Sequence, residues 1–434
     1  MYEQVIETIG RRFKELPDHR KGGNNTCYEI SDAALSAFSI FMMQSNSFLA
    51  HQRDMQRQKG RDNVQTLFDV YKTPCDNQIR NLLDPIGPKE VGVIFWDIYT
   101  LLEAEGILQH HRGVNDNLLC GLDGTQYFSS TKIHCENCSQ RHKDEMVYYS
   151  HSVIAPVLVA PGSSSVYCLE PEFIVPQDGA EKQDCEQNAF KRWVERNRHR
   201  LPEKVTLMAD DLHCHQPTCE LCLDHDLNFI FVCRPDSHVA LYEEVELLER
   251  IEGVNHLQIR HHNGRFYEQY YYRYVNQVPL RSGNDALNVN WCEVRIVREK
   301  SGEQLYFNQF ATNHELDDQT VVDVVASGRA HWKTENESHN VLKNQGYHLE
   351  HNFGHGDQFL SSVLLSLNLL AFLLHTILDQ TDPVYQQVRQ ELGTRRTFFN
   401  DIRTLTRYMI FDSWNHLLSF MFVQLELDQK TQPP

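Results

Sequence analysis

Two short apolar runs that each end at an aspartate constrain the fold of this chain more than any other feature. The run Leu118–Leu122 ends at Asp123, and the run Val205–Ala209 ends at Asp210. Both runs have the length and composition of β-strands. In open α/β sheets, functional residues lie beyond the carboxyl ends of the strands. The sequence therefore predicts a site at Asp123 and Asp210.

The order of the neighbouring elements predicts a mixed sheet with helices on its faces. Two strand-like runs follow the first aspartate, at 147–159 and 166–175. A helix is predicted from Asp184 to Arg200, and a further strand from Phe229 to Cys233. Three adjacent strands followed by β-α units are typical of an α/β fold.

The chain of 434 residues is long enough for two or three domains. Apolar residues at helical spacing predict an N-terminal helical domain, and strand patterns then mark the start of the α/β core. Strand-prone, Tyr-rich segments between turn residues predict a β-rich insertion before the last core helix. The predicted boundaries are 1–112 for the helical domain, 113–253 for the first part of the core, 254–312 for the insertion, 313–378 for the end of the core and 379–434 for C-terminal helices.

The net charge of −18 argues against a surface that is basic throughout, and so counts against nucleic-acid binding, although local basic clusters occur. The polar N-terminus has no apolar signal segment, which predicts a cytoplasmic protein. The apolar run Val363–His375 is shorter than a membrane span and contains Ser, Asn and His. We therefore expect a buried helix there and no membrane association.

A third acidic residue lies in a helical stretch later in the chain. Residues four apart share a helix face, so His331, Glu335 and His339 are expected to line up. Together with Asp123 and Asp210, Glu335 completes an Asp, Asp, Glu set on separate elements. Oxygen ligands of this type suit Mg²⁺ or Mn²⁺, and two such ions support phosphoryl transfer. Spacing alone leaves a second interpretation open, in which the three acids are capping or solvated groups.

Short motifs surround these acids, namely Gly121–Thr125, Leu207–Asp211 and Trp332–Asn336. In this order, with a β-rich insertion before the third, they resemble the DDE transposases of bacterial insertion sequences, specifically the insertion-sequence-four-like group. A later segment, Gly346–Gly356, resembles a branch of that group. The resemblance covers nearly the whole chain.

The resemblance implies an RNase H-like catalytic core in which Asp123, Asp210 and Glu335 bind Mg²⁺ or Mn²⁺. It also implies that water cuts a DNA phosphodiester to free a 3′-OH, which then attacks target DNA. The implied partners are DNA, as terminal inverted repeats and as target, and a second copy of the chain in a homodimer on DNA. A protein of this kind would be associated with the nucleoid when bound to DNA.

The motif around the glutamate departs from the signature of the group, which is Tyr, two residues, Arg, three residues, Glu, six residues, Lys. Here Gly328 stands at the Tyr position and His331 at the Arg position, and Lys343 comes one residue late. Arginine is always charged, whereas histidine is charged only when it is protonated. Either Arg329 or Lys343 takes over the phosphate contact expected near His331, or this copy is catalytically impaired.

Two alternative functions follow from these departures. One is a non-catalytic DNA-binding relative, which the acidic net charge and His331 favour, and the other is an RNase H-like nuclease without strand transfer. Which aspartate is the second ligand is also open, because Asp210 and Asp211 point to opposite faces if the strand continues. Asp210 aligns with the family aspartate and is the expected ligand.

Two C-x₂-C pairs form a second candidate site. Cys135 and Cys138 follow the first strand, and Cys219 and Cys222 follow the strand that ends at Asp210. The spacing within each pair matches structural zinc sites, although the gap of roughly eighty residues between the pairs exceeds that of a short finger. The sequence predicts that the four thiols converge on a structural Zn²⁺, and the alternative is buried free thiols. A structural role is expected for three later histidines: His348, His351 and His355.

Overall fold

The computed structural model describes residues 1–20, 27–56, 62–176 and 184–430. Its N-terminal part is helical, because apolar residues recur at helical spacing and turn residues separate the segments. The helices are α1 (Tyr2–Lys14), α2 (Ile30–Met42), α3 (Phe48–Met55), α4 (Asn63–Phe68), α5 (Asp76–Leu83) and α6 (Pro88–Ala104). Helix α6 begins at a proline, whose missing N–H is not needed in a first helical turn.

The strands that follow belong to two sheets. They are β1 (Leu118–Gly121), β2 (Gly124–Ser130), β3 (Ser139–Lys143), β4 (Met146–Ile154), β5 (Val157–Val159), β6 (Tyr167–Cys168), β7 (Glu172–Ile174), β8 (Val205–Ala209), β9 (Asn228–Val232), β10 (Asn255–His262), β11 (Tyr267–Pro279), β12 (Asn288–Arg298) and β13 (Gln304–Thr312). Four helices pack among them: α7 (Glu186–Asn197), α8 (Gln216–Asp224), α9 (Val239–Arg250) and α10 (Thr320–Ala330).

Within the described residues, the larger sheet has nine strands in the order β10-β11-β12-β13-β9-β8-β1-β5-β6. Strand β8 is parallel to both β1 and β9, whereas β5 is antiparallel to β1 and β13 is antiparallel to β9. Both β1 and β8 are buried at every position, which explains why they are apolar throughout. The predicted α/β class with a mixed sheet is confirmed.

The smaller sheet begins directly after β1. Two residues separate the end of β1 from the start of β2, which pairs with β4; β4 in turn pairs with β3 and β7. The end of β1 therefore lies where the two sheets meet.

The insertion extends the larger sheet. Strands β10 to β13 are antiparallel neighbours, and β13 joins them to β9 at the edge of the parallel strands. Helix α10 follows the insertion and packs on β9, β11 and β12. The insertion thus brings the chain back to the sheet immediately before the segment that contains Glu335.

Helix α12 (Leu360–Thr381) is a core helix that packs against α2, α6 and β6. It is long and apolar enough to cross a membrane, but 94% of its most apolar window is buried inside the protein. Its buried Asn368 donates a hydrogen bond to the carbonyl of Tyr347 at 2.9 Å. The predicted buried helix at 363–375 is confirmed. The remaining helices are α11 (Asn340–Asn344), α13 (Pro383–Glu391), α14 (Arg395–Tyr408), α15 (Trp414–Gln424) and α16 (Leu427–Lys430).

Candidate active site

Asp123 and Asp210 lie at the carboxyl ends of two neighbouring parallel strands. Gly121 of β1 pairs with Met208 of β8, and each aspartate follows its paired residue by two positions. Neighbouring strands are about 4.8 Å apart. The two aspartates therefore share one edge of the sheet, and the predicted adjacency of their strands is confirmed.

Glu335 reaches the same edge from a helical segment that packs closely on β1. The segment Thr334–His339 is π-helical, and such turns with an extra residue are frequent at functional sites. A Cβ atom added to Gly121 would lie 2.4 Å from Oγ1 of Thr334. The absence of a side chain at Gly121 therefore lets the segment approach β1 and place Glu335 over the end of that strand.

His339 lies against two of the acids. Its Nδ1 atom is 3.6 Å from Oδ2 of Asp123 and 3.4 Å from Oε2 of Glu335. Ligand atoms of these three residues lie within 4.8 Å of one another, a spacing suited to a metal ion. The histidine is fully buried, and burial lowers its pKa below the ordinary value. Its Nε2 atom has no hydrogen-bond partner among the described residues.

Negative charge is concentrated around Asp123. Burial raises the pKa of Asp123 to about 7, and the charges of Glu186, Asp210 and Glu335 add to this shift. In the part of the chain that the structure describes, no Lys or Arg nitrogen lies within 4.0 Å of the carboxylates of Asp123, Asp210 or Glu335. A bound divalent cation would therefore relieve repulsion that no basic side chain neutralises at close range.

A fourth carboxylate, Glu186, belongs to this cluster and was not predicted. It is the first residue of α7, and its Oε1 atom accepts a hydrogen bond from the N–H of Gly124 at 3.2 Å. The same oxygen lies 3.2 Å from Nε2 of His213, and this hydrogen bond lowers the pKa of Glu186. In a sequence, an acid in the first turn of a helix indicates only a favourable charge at the helix N-terminus. Nothing in the pattern therefore marked Glu186 as part of a site.

The structure separates the roles of Asp210 and Asp211. The Oδ1 atom of Asp210 accepts a hydrogen bond from the N–H of Leu212 at 3.0 Å, and Asp210 is not part of the close group formed by Asp123, Glu335 and His339. Desolvation raises the pKa of Asp210, and the charge of Glu186 adds to the shift. The carboxylate of Asp211 instead accepts hydrogen bonds from the N–H of Arg234 at 2.7 Å and from the hydroxyl of Ser237 at 2.5 Å. Asp211 is therefore directed at the loop that follows β9.

His331 lies close to the end of β1 and is neutral. A Cβ atom at Gly121 would be 3.4 Å from its Cδ2 atom, and it has a hydrogen bond with the backbone of Leu122. Burial lowers the pKa of His331 to about 4, and the nearby His213 and His339 add to the shift. The side chain thus lacks the positive charge that an arginine at this position would bring to a phosphate.

The two other predicted phosphate contacts lie on different sides of the helical segment. The guanidinium carbon of Arg329 is 4.5 Å from the ring centre of Tyr306 in β13, so this side chain faces the insertion. The Nζ atom of Lys343 is 3.5 Å from Oε1 of Glu350, and the charge of Lys343 contributes to the lowered pKa of His339. Of the two cations, Lys343 is the one near the acidic cluster.

The predicted convergence of Cys135 and Cys138 with Cys219 and Cys222 is wrong. The second pair is buried on one face of α8, where residues three apart lie side by side. Their spacing therefore reflects helix packing. The first pair lies in a different group, beside two histidines.

No protein-family model matches this chain, and a comparison with curated proteins gives no match. The geometry of the site and the motifs around it therefore carry the functional argument. That geometry combines four carboxylates with a buried histidine at an accessible sheet edge, where 52% of the Glu335 side chain is exposed. Such a set of hard oxygen donors is suited to divalent cations and to ligands that bind through them.

Proposed function

We propose that the protein is a DDE transposase that cuts and joins DNA ends, with Asp123, Asp210 and Glu335 as its catalytic residues. The observation that carries this proposal is that Asp123 and Asp210 follow two adjacent parallel strands at one edge of the sheet, and that Glu335 lies close to Asp123 there. The same three segments are the motifs that resemble the transposases. The parallel strands β1, β8 and β9, with β5 antiparallel beside β1, support the RNase H-like core that the resemblance implies.

The acids fit a divalent cation, because burial and the neighbouring carboxylates raise the pKa of Asp123, and among the described residues no close Lys or Arg offsets their charge. Asp123, Asp210 and Glu335 would hold Mg²⁺ or Mn²⁺ through carboxylate oxygens. When bound, these ions activate the attacking oxygen of a phosphodiester displacement and stabilise the leaving oxygen. The exposed side of Glu335 leaves this edge of the sheet open to a DNA backbone.

His339 and Glu186 act as positioning residues in this proposal. His339 is buried between Asp123 and Glu335, so a proton on its Nδ1 atom orients the carboxylate of Glu335. Glu186 holds the peptide N–H of Gly124, the residue that directly follows Asp123. Both contacts restrict the directions in which the ligands of the cation point.

The π-helical turn explains why Lys343 comes one residue after the lysine position of the signature. The signature of the group places its lysine where this chain has Leu342, and Lys343 follows one residue later. A π-turn holds one residue more than an α-turn, so it displaces the residues after it by one position. Leu342 is fully buried, whereas Lys343 reaches Glu350 near the surface. We therefore assign the phosphate contact of the signature lysine to Lys343.

The departure at the tyrosine position has a packing cause. A Cβ atom added to Gly328 would lie 2.7 Å from the ring of Phe310. A tyrosine at this position would collide with β13, so α10 approaches the insertion more closely here than the signature residue would allow. Glycine in place of the signature tyrosine therefore changes the packing of α10 on β13 and does not involve Asp123, Asp210 or Glu335 directly.

A polar groove on the smaller sheet provides a path for one DNA strand beside Asp123. Its lining includes Gly124 and Glu186, and also Ser139 and Arg141 of β3. Arg141 and Lys143 are exposed on β3. Hydroxyl groups and cations are the partners that proteins offer to the phosphate backbone. Arg141 and Lys143 therefore provide local positive charge for DNA on a chain whose net charge is negative.

A non-catalytic DNA-binding relative is the second candidate. Neutral His331 at the position of the signature arginine favours it, because no fixed charge at that position is available to grip a phosphate. The two candidates share DNA binding and differ in cleavage.

Metal-dependent nicking of DNA that carries the terminal repeats flanking the gene tests the proposal. Glu335→Gln removes one charge from the cluster and keeps the side-chain shape. Cleavage should fall by more than the roughly 10–100-fold that the loss of an outer partner of a metal ligand costs. Glu337→Gln is the matched control, since Glu337 lies in the same segment but interacts with Lys333 instead.

DNA-end binding should stay near the wild-type level in both variants, because phosphate contacts come from basic residues. Equal cleavage by wild type and Glu335→Gln would reject the assignment of the acids. Binding of the repeats without any cleavage by wild type in Mn²⁺ would establish the non-catalytic relative.

A further inference from the structure

Two cysteines and two histidines from separate segments meet in a small group outside the acidic cluster. Cys135 and Cys138 lie in the loop between β2 and β3, His151 is on β4, and His355 lies in the loop before α12. The two Sγ atoms are 3.9 Å apart. The Nε2 atom of His151 is 3.5 Å from Sγ of Cys135 and 3.4 Å from Sγ of Cys138. The Nε2 atom of His355 is 3.5 Å from Sγ of Cys138.

These separations are those of a tetrahedral zinc site. With Zn–S bonds of about 2.3 Å and Zn–N bonds of about 2.0–2.1 Å, tetrahedral angles place two sulfurs about 3.8 Å apart. The same geometry places a sulfur and a nitrogen about 3.5 Å apart. A disulfide would instead bring the sulfurs to about 2.05 Å. We propose that Cys135, Cys138, His151 and His355 bind one structural Zn²⁺.

Two hydrogen bonds hold the cysteines of the loop close together. The backbone N–H of Cys135 donates to Sγ of Cys138 at 3.4 Å, and the N–H of Cys138 donates to the carbonyl of Cys135 at 3.2 Å. Both thiols also lie within 3.5 Å of Nε2 of His151.

Aromatic rings pack against both histidines of the group, in which Cys138 and His151 are buried and Cys135 and His355 are partly exposed. The ring of His151 stacks on Tyr127 with centres 5.7 Å apart, and the ring of His355 lies 4.6 Å from that of Phe128. Cys138 is 1% exposed and His151 is 3% exposed. A closed set of four protein ligands is the arrangement of a structural site, because a catalytic zinc keeps one position open.

The donor atoms separate this site from the acidic one. Two thiolates and two imidazoles suit Zn²⁺, whereas carboxylates suit Mg²⁺ or Mn²⁺. His151 pairs with Phe128, which lies five residues beyond Asp123 along the chain. At about 3.3 Å per residue, the two sites are roughly 16 Å apart. Each site can therefore be emptied and studied without changing the ligands of the other.

The zinc ion would join the smaller sheet to the loop between α11 and α12. A second contact already ties these parts, since the side-chain amide of Asn137 donates to the carbonyl of Gln358 at 2.6 Å. The loop from 345 to 359 contains no helix or strand, so a metal ligand at His355 would fix the segment that leads into the core helix. The proposed role is thus to clamp the β2–β4 pair onto the helical core.

Elemental analysis of the full-length protein, purified without chelators and dialysed, tests the proposal directly. We expect one zinc ion per chain. X-ray absorption at the zinc edge should show two sulfur ligands at about 2.3 Å and two nitrogen ligands at about 2.0–2.1 Å. Replacement by Co²⁺ should give the visible absorption of a tetrahedral site with thiolate ligands. Absence of zinc, or zinc bound by oxygen and nitrogen alone, would overturn the proposal.

Variants assign the ligands. Cys138→Ser and His355→Ala should each lower the zinc content to near zero, whereas Cys222→Ser should keep it at one ion per chain. Cys222 is the matched control because it belongs to the other C-x₂-C pair and is equally buried. His355→Ala removes a ligand from a loop, so it remains informative if Cys138→Ser does not fold. Full zinc content in His355→Ala together with a wild-type absorption spectrum would refute the four-ligand set.

Discussion

Gly121→Ala tests how the segment with Glu335 is held on β1. The new Cβ atom would lie 2.4 Å from Oγ1 of Thr334, more than an ångström inside ordinary contact. Thr334 is fully buried, so its side chain cannot turn into solvent to avoid the new Cβ atom. Overpacking of this kind costs about 1–3 kcal/mol. The substitution should destabilise the protein by that amount and move Glu335 away from Asp123.

Thr334→Ala should reverse this effect. With the hydroxyl and methyl groups removed, the nearest atoms to the new Cβ would be Cδ2 of His331 at 3.4 Å and Cβ of residue 334 at 3.7 Å. Both distances are ordinary contacts. Thr334→Ala alone should cost no more than about 1 kcal/mol, because the lost methyl is small and Oγ1 has no hydrogen-bond partner among the described residues. The double variant should therefore be more stable than Gly121→Ala, with a coupling free energy of about 1–3 kcal/mol.

Urea unfolding of wild type, both single variants and the double variant gives the coupling free energy, and nicking assays show whether cleavage recovers with stability. Gly10→Ala serves as the control, since an added Cβ there meets nothing within 4 Å. It lies inside α1, so alanine should stabilise the protein by about 0.5–1 kcal/mol. Additive costs of Gly121→Ala and Thr334→Ala would refute the proposed contact between β1 and this segment.

Three further predictions concern charge. Asp210→Asn should abolish nicking and Asp211→Asn should retain it, because Asp210 shares the sheet edge with Asp123 whereas Asp211 is bonded to the loop after β9; the opposite result in the same assay would reassign the ligand. His331 has a pKa of about 4, so the ratio of nicking rates for His331→Arg and wild type should be equal near pH 6 and near pH 8; a ratio that changes between them would show that His331 titrates in this range. Burial lowers the pKa of His51 to about 3, so the unfolded state takes up a proton below about pH 6.5 while the folded state does not. Between about pH 6 and pH 4, protonation of His51 in the unfolded state should lower the unfolding free energy of the wild type by about 1.4 kcal/mol per pH unit. His51→Gln lacks this contribution, so its unfolding free energy, measured in urea, should fall less steeply by that amount. Equal slopes for the two proteins would contradict this.

The main elements of the fold could be predicted because their signals are local. An apolar run of five residues that ends at an acid is nearly sufficient to define a buried strand and its carboxyl end, as at Asp123 and Asp210. The helical repeat around Glu335 likewise indicated that His339 shares its face. The buried run in α12 was identified by its length and by its polar residues, which find partners inside the protein.

The remaining features depend on contacts between distant parts of the chain. Glu186 joins the acids because α7 starts beside Gly124, and no spacing within the sequence encodes that approach. The partners of Cys135 and Cys138 come from one position on a strand and one in a later loop, whereas the sequence suggested a second cysteine pair. The C-x₂-C spacing is ambiguous because it occurs in two kinds of structure. In a turn it brings two thiols close to one metal ion, and in a helix it places them on the same buried face.

The extra residue in the turn Thr334–His339 also affects how this chain should be aligned with other proteins. Alignment methods place gaps in loops, because an insertion inside a helix usually turns every later side chain by about 100°. In the proposed alignment with the transposase signature, a local widening of the helix absorbs the insertion, so the gap falls between Glu335 and Lys343. A search pattern that fixes the interval between these two residues will pass over such chains. A search pattern that specifies which side of the helix each residue faces, and allows one extra residue between them, will find such chains.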